Sequence, residues 1–189
     1  MAKGDRAEMA TRIMDVAEGA ARREGWDGFS FRRLADAVGI KSASVHYHFP
    51  NKEALGVALT DRYTDRFLGS LGSPEEAGAL KRAVEGFRSA LGPDGGMCLC
   101  GLFAAEIEGL PEDVRGSVRN FFVRLRAWLE AAYAAAGSVR PGEQASVAIS
   151  LLEGGLLVAR ALGDHEHFER SAVQVMSVDG ALDPAVGGA

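Results

Sequence analysis

The chain has 189 residues, 47% of them hydrophobic and 25% charged, enough for one substantial core plus a small appended domain. No uninterrupted apolar run of about 18 residues is present, and the opening MAKGDRAEMATR has charges where a leader needs an apolar stretch. By these features neither a membrane span nor a secretory leader is expected, and with only two cysteines, Cys98 and Cys100, ill-spaced for a mutual disulfide, a cytoplasmic location is expected. The net charge of −5 speaks against nucleic acid until it is divided: residues 1–67 carry 11 Lys/Arg against 10 Asp/Glu, and residues 68–189 carry 10 against 16.

Abundant Ala and Leu with few β-branched runs predict helices throughout. The first is expected over residues 5–24, with Ala10, Ile13, Met14, Ala17, Ala20 and Ala21 on one stripe and Gly25 as its stop. Trp26 and Phe29 follow as core plugs. Ser30 can cap a second helix whose apolar positions Leu34, Ala35 and Val38 share a face, and Gly39 ends it. A third, of about two turns, starts at Lys41 or Ser42 and reaches His48. A fourth is expected over residues 51–68, with Leu55, Ala58, Leu59, Tyr63 and Phe67 inward.

Farther on, Ser73-Pro74-Glu75-Glu76 reads as a cap, a first-turn proline and a capping-box glutamate, predicting a helix over 73–91. Residues 92–96, GPDGG, form the strongest loop signal. Helices are then expected over 97–108, 111–137, 141–162 and 165–178. The tail, 179–189, has little to bury and is expected to be mobile. The fold class is therefore all-α, with about nine helices. A three-helix helix-turn-helix domain would occupy residues 1–50, and a larger helical domain residues 51–178.

A helix-turn-helix lays its second helix in the DNA major groove. Val45 and Phe49, at i and i+4, should face the core, leaving Ser42, Ala43, Ser44, His46, Tyr47 and His48 for the groove or its rims. Small side chains at 42–44 permit close approach, and the first N–H groups of that helix favour a phosphate. Lys41 at the lip of the turn and Lys52 at the entry of the next helix add cations. His46 and His48, two apart on a helix, point away from each other, so no shared metal ion is expected.

The segment from Gly39 to Leu55, GIKSASVHYHFPNKEAL, resembles the helix-turn-helix signature of TetR-type transcriptional regulators. The resemblance extends upstream through Gly25, Phe29 and Leu34-Ala35 and covers residues 7–60. Carried over by position, it implies base contacts from Arg32, Ser42, Ala43, Ser44, His46 and His48, and phosphate contacts from Ser30, Tyr47 and Lys52. His46 departs from the tyrosine most frequent at its position and is shorter. The resemblance further implies a homodimer on a palindromic double-stranded operator, released by a small-molecule inducer and most often acting as a repressor. The middle helices would hold an apolar inducer among Phe87, Cys98, Leu102, Phe103, Glu106, Phe121, Phe122, Trp128 and Leu152. Glu106, in an apolar segment, needs a partner, with Arg124 or Arg126 in view.

Residues 151–162, LLEGGLLVARAL, are apolar on every side, and a helix apolar all round is buried all round. A partner subunit is the natural second surface, through Leu151, Gly154, Gly155, Val158 and Leu162 together with Phe168. Cys98 and Cys100, one residue apart, are poorly spaced for a mutual disulfide. Cys98 follows a Gly-Gly loop at a helix start, where the dipole favours thiolate, and it resembles the cysteine of electrophile-sensing TetR-type repressors. Covalent modification is thus an alternative to reversible inducer binding. An all-α enzyme using Glu106 or the cysteines, and a pure protein-interaction module, are the rivals from other classes. No catalytic dyad, metal-ligand spacing or phosphate loop is visible, so no activity, cofactor or metal is expected.

Overall fold

A computed structural model describes residues 3–92 and 96–178. Among these residues the fold is all-α, without a strand: α1 (Lys3–Glu24), α2 (Phe31–Val38), α3 (Ser42–His48), α4 (Lys52–Leu71), α5 (Ala79–Ala90), α6 (Leu99–Ala105), α7 (Glu112–Ala135), α8 (Pro141–Leu162) and α9 (His165–Val175). Short 3-10 turns occupy Trp26–Gly28 and Ile107–Gly109. The tail expected to be mobile, 179–189, and positions 93–95 of the expected loop lie outside the described residues. The chain forms two compact units. One joins the described residues through Arg66 to those of 96–121, and the other joins Phe67–Gly92 to those of 122–178.

In the first unit, α1 packs on α2 and α3, and α2 on α3. Ile13, Ala17 and Ala21 of α1 are fully buried with Leu34, Val45, Leu55 and Leu59 close to zero exposure. Ser30 caps α2 by accepting from the Arg33 amide at 3.3 Å, and Gly39 closes it at φ +77, its N–H donating to the Ala35 carbonyl. That left-handed closure turns the chain sharply enough to start α3 three residues later. Asn51 caps α4, its Oδ1 accepting from the Ala54 amide at 2.7 Å. An ion cluster ties α1 to α4: buried Glu18 accepts from both Arg62 and Arg66, and Arg62 also reaches Asp15 at 2.7 Å.

The helix expected to start at Ser73 begins at Ala79 instead, after turns over residues 74–78. Arg82 supplies the physical reason. Its guanidinium donates to the carbonyls of Leu71 at 2.6 Å, Ser73 at 2.7 Å and Ala77 at 3.0 Å, satisfying a turn that a capping box would have straightened. Ser73 donates to Glu75 rather than completing the box. Likewise the helix expected from Met97 starts at Leu99. Met97 exchanges two hydrogen bonds with Arg22, its N–H to the Arg22 carbonyl at 3.0 Å and its carbonyl from Arg22 Nε at 2.8 Å, which hold it out of the helix.

In the second unit α8 and α9 form a closely packed hairpin on which α5 also rests. A Cβ at Gly155 would meet Ser171 Cβ at 3.0 Å and the Phe168 ring at 3.4 Å, so glycine sets the spacing of the hairpin. By length and composition alone α8 is apolar enough to span a membrane, an 18-residue window having mean hydropathy 1.6 with only 33% of it buried. It is the helix read from sequence as apolar on all sides. Phe67 and Phe87 meet edge-to-face at 5.1 Å between α4 and α5.

Tyr133 of α7 donates its hydroxyl to the Val175 carbonyl at 2.7 Å, and burial pushes its pKa up to about 12. The fold favours the neutral phenol, so this contribution is complete below the ordinary phenol pKa of about 10 and is lost as pH rises through the folded value. Tyr133→Phe should cost about 1 kcal/mol at neutral pH and soften the alkaline loss of stability, read by urea unfolding across that window. Superimposable alkaline profiles for the two proteins would contradict the assignment.

Candidate nucleic-acid interface

Rotation of α3 is fixed by one side chain and its neighbour in the next turn. Val45 is fully buried and Phe49 is 8% exposed, so the rest of the helix is directed outward. Ser42, Ala43, His46 and Tyr47 are exposed, with Tyr47 at 60%, while Ser44 and His48 are half-buried. Arg32, in the first turn of α2, and Lys41, which precedes α3, are exposed as well. Ser30 Oγ is committed as an acceptor to the Arg33 amide, which leaves its hydroxyl hydrogen to be donated outward.

The histidines have defined surroundings. His46 packs edge-on against Phe31 at 4.6 Å, and its Nδ1 lies 3.4 Å from the Pro50 carbonyl. A carbonyl only accepts, so Nδ1 is the donor in that contact. His48 has its pKa lowered first by burial and then by the charge of Arg6, both of which favour the neutral imidazole. Arg6 itself, from the N-terminal end of α1, stacks over Tyr47 at 4.6 Å.

Lys52 is held in place by three neighbours. Its ammonium lies 4.5 Å over the Trp26 ring, 5.0 Å over Phe29 and 3.3 Å from the exposed carboxylate of Asp27. Trp26 is positioned in turn by α6. It lies edge-to-face with Phe29 at 5.4 Å and with Phe103 at 5.8 Å, and its amide donates to Glu106 at 2.8 Å. Gly25 carries φ +76, and a Cβ there would lie 2.0 Å from Glu106 Oε1. Glu106, read from sequence as an inducer contact or an arginine partner, is thus engaged by a backbone amide that sequence reading did not anticipate.

The electrostatics of this unit depend on which charges are already matched. Glu24 pairs with Arg33 at 3.0 Å, its carboxyl held below the ordinary range chiefly by that hydrogen bond. Glu18 and Asp15 are matched by Arg62 and Arg66, and Asp27 by Lys52. By contrast Arg6, Arg32 and Lys41 form no ion pair with a described carboxylate. The net charge of +1 over residues 1–67 therefore understates what this face offers an anion.

Residues 13–59 match the family described as bacterial regulatory proteins, tetR family. The crystal structure of a TetR transcriptional regulator from Legionella pneumophila is 33% identical, with a TM-score of 0.81 over 87% of this chain and 93% of that one. The chain belongs to the TetR family of transcriptional regulators. A TetR-family regulator from Agrobacterium tumefaciens is 28% identical, again with a TM-score of 0.81, over 89% of this chain and 96% of that one. An uncharacterized HTH-type transcriptional regulator from the dhlA 5′ region of Xanthobacter autotrophicus is 35% identical over 60 residues, which span 32% of this chain and 30% of that protein's length. Membership in the TetR family makes this chain a DNA-binding transcriptional regulator with a helix-turn-helix.

The residues anticipated around an inducer fall into both units. Cys98, Leu102, Phe103, Glu106 and Phe121 belong to the first, and Phe87, Phe122, Trp128 and Leu152 to the second. Cys98, Phe103, Phe121, Phe87 and Leu152 are fully buried, whereas Leu102, Phe122 and Trp128 are half-buried. Trp128 donates its indole N–H to the Gly72 carbonyl at 2.9 Å. Neither cysteine forms a disulfide. Of the residues anticipated at a dimer surface, Gly155 and Phe168 are buried in the α8–α9 contact of one chain. Leu151 and Gly154 are half-buried, and Val158 and Leu162 are 37% and 64% exposed.

Gly25 and Gly39 both have positive φ, but only Gly25 has a carboxylate where its Cβ would go. Alanine at either should lose about 1–3 kcal/mol to backbone strain. Gly25→Ala should lose measurably more, because it must also expel Glu106 from the Trp26 amide. Equal losses in urea unfolding would contradict that contact.

Proposed function

We propose that this TetR-family regulator is a ligand-responsive repressor acting as a homodimer on a palindromic operator. Residues 1–50 read DNA, and residues 51–178 carry dimerisation and inducer response. In this reading α3 enters the major groove with Arg32, Ser42, Ala43, Ser44, His46 and His48 toward base edges, and Ser30, Lys41, Tyr47 and Lys52 toward phosphates. The observation that carries it is the one-sided burial of α3 through Val45, which leaves every other α3 side chain exposed or half-buried.

A single small head binds DNA weakly, and pairing two raises affinity through effective concentration. Among the described residues, six of the nine exposed large apolar side chains, Leu157, Val158, Leu162, Val173, Met176 and Val178, lie on or just after α8 and α9. Such a concentration on one hairpin supports a second copy as its cover. For regulation, α6 has two ties to the DNA-reading part. Met97, just before α6, exchanges hydrogen bonds with Arg22 at the end of α1, and Glu106, just after it, holds the Trp26 amide beneath Lys52. An apolar inducer that displaces α6, through half-buried Leu102, would act on both ties. Coupling of about 1–3 kcal/mol is typical for such a switch. Full burial of Cys98 favours reversible inducer binding over attack by an electrophile.

Selection from a random duplex pool tests the reading. The protein should enrich a palindrome with half-sites about one helical turn apart, and failure to enrich any sequence would refute it. On the selected duplex, Arg32→Ala should relax base preference. Lys52→Ala should instead weaken all sequences alike and reduce the salt slope by about 0.9 per head. Leu162→Glu should give monomers in sedimentation velocity, and unchanged dimers would contradict the assigned interface.

A further inference from the structure

We propose that the cleft between α1 and α3 seats the sugar–phosphate backbone of DNA, with Arg6 as a phosphate-binding residue contributed from outside the helix-turn-helix. The inference rests on the DNA-binding reading above and adds to it a contact that reading does not contain.

The cleft measures about 410 Å³ and is lined by apolar Met9, Ile40 and Ala43 together with Lys41, Ser44, Tyr47 and His48. This mixture suits a chain of alternating apolar sugar faces and charged phosphates better than it suits base edges, which need an ordered set of donors and acceptors. Arg6 borders the cleft through a lining residue: from a position seven residues before the fully buried Ile13, on the same side of α1, its guanidinium lies over the ring of Tyr47. Stacked 4.6 Å over the Tyr47 ring, its guanidinium is oriented at little further entropic cost. Stacking uses the face of a guanidinium and leaves its N–H edge to donate, which is the geometry that pairs with phosphate oxygens.

Charge points the same way. Arg33 and Lys52, cations elsewhere in this unit, are engaged by Glu24 and Asp27, whereas neither Arg6 nor Lys41 pairs with a described carboxylate. An anion entering the cleft therefore meets two cations that need not release a carboxylate first. The depression of the His48 pKa, partly by Arg6, registers the positive field that Arg6 casts at this cleft. Tyr47, 60% exposed in the free protein, gains cover for its ring when the backbone docks.

The test is the salt dependence of binding to the selected duplex for the full-length protein, Arg6→Ala and Arg6→Lys, followed by a scan in which single phosphates are replaced by neutral methylphosphonates. Arg6→Ala should lower the slope of log K against log salt by about 0.9 per head, or about 1.8 for a dimer. Arg6→Lys should keep the slope. One methylphosphonate position per half-site should abolish the difference between wild type and Arg6→Ala. An unchanged slope for Arg6→Ala overturns the proposal, and so does an affinity loss that persists whichever phosphate is neutralised. The latter would mean that Arg6 merely props Tyr47, or that the cleft is covered by a small apolar molecule or a second copy. Arg6 is exposed, so the unfolding midpoint of Arg6→Ala should match wild type. If wild type itself selects no duplex, the DNA-binding reading fails, a result distinct from a wild type that binds and an Arg6→Ala that binds with the same slope.

Discussion

Burial of Val45 is the constraint from which the functional face follows. A helix of two turns has too little surface to be fixed by many contacts, so its rotation depends on the one or two apolar residues it contributes to the core. Val45 is fully buried and Phe49, at the end of α3, nearly so. With that edge pinned against α1 and α2, the serines, alanine, histidines and tyrosine between Ser42 and His48 have only the solvent side left. Ser30 and Gly39 frame this arrangement: one sets where α2 begins, the other turns the chain at φ +77 so that α3 crosses rather than continues α2.

The second determinant is the disposition of charge rather than its total. Acidic residues are almost as numerous as basic ones in residues 1–67. The carboxylates of Asp15, Glu18, Glu24 and Asp27, however, are matched locally, the first two by the α1–α4 cluster that stiffens the unit. The cations left without described carboxylate partners include those flanking α3. A near-neutral unit can therefore present a positive face, because ion pairs remove the opposing charge from where it would repel a phosphate. Lys52 has a more constrained position: its ammonium is set over Trp26 and Phe29, so whatever moves Trp26 moves Lys52. Trp26 is bonded through its amide to Glu106 at the end of α6, which links α6 to the Lys52 ammonium by a short covalent and hydrogen-bonded route within one unit.

How much of this was legible in the sequence depended on the range of the interactions involved. The expected bounds of α8, 141–162, match the structure, and both ends are set locally: Pro141 lies in the first turn and Gly163 closes the helix at φ +64. The all-α class and the placement of α2 and α3 followed from caps and periodicity in the same way. The start of α5 was misread because Ser73-Pro74-Glu75-Glu76 is a complete local cap signal, whereas the deciding residue, Arg82, acts through carbonyls from the preceding turn. The start of α6 was misread for a longer-range reason: Met97 pairs with Arg22, 75 residues away. Glu106 with Trp26, 80 apart, and Arg6 with Tyr47 are of the same kind. Gly155 was assigned to a subunit interface because sequence shows that a glycine permits close approach but not which helix approaches; here it is α9 of the same chain.

The central claim, that the outward side of α3 sits in the major groove, is open to a direct physical measurement. An iron chelate tethered through Ala43→Cys, at an exposed position on that side, generates radicals that cut nearby DNA. The same label at Val139→Cys, on a side chain 80% exposed in the other compact unit, serves as the comparison. Cleavage confined to the two half-sites of the bound palindrome from position 43, and none from position 139, is the result this account predicts. Equal cutting from both positions, or none from position 43 on DNA that the protein demonstrably occupies, would contradict it.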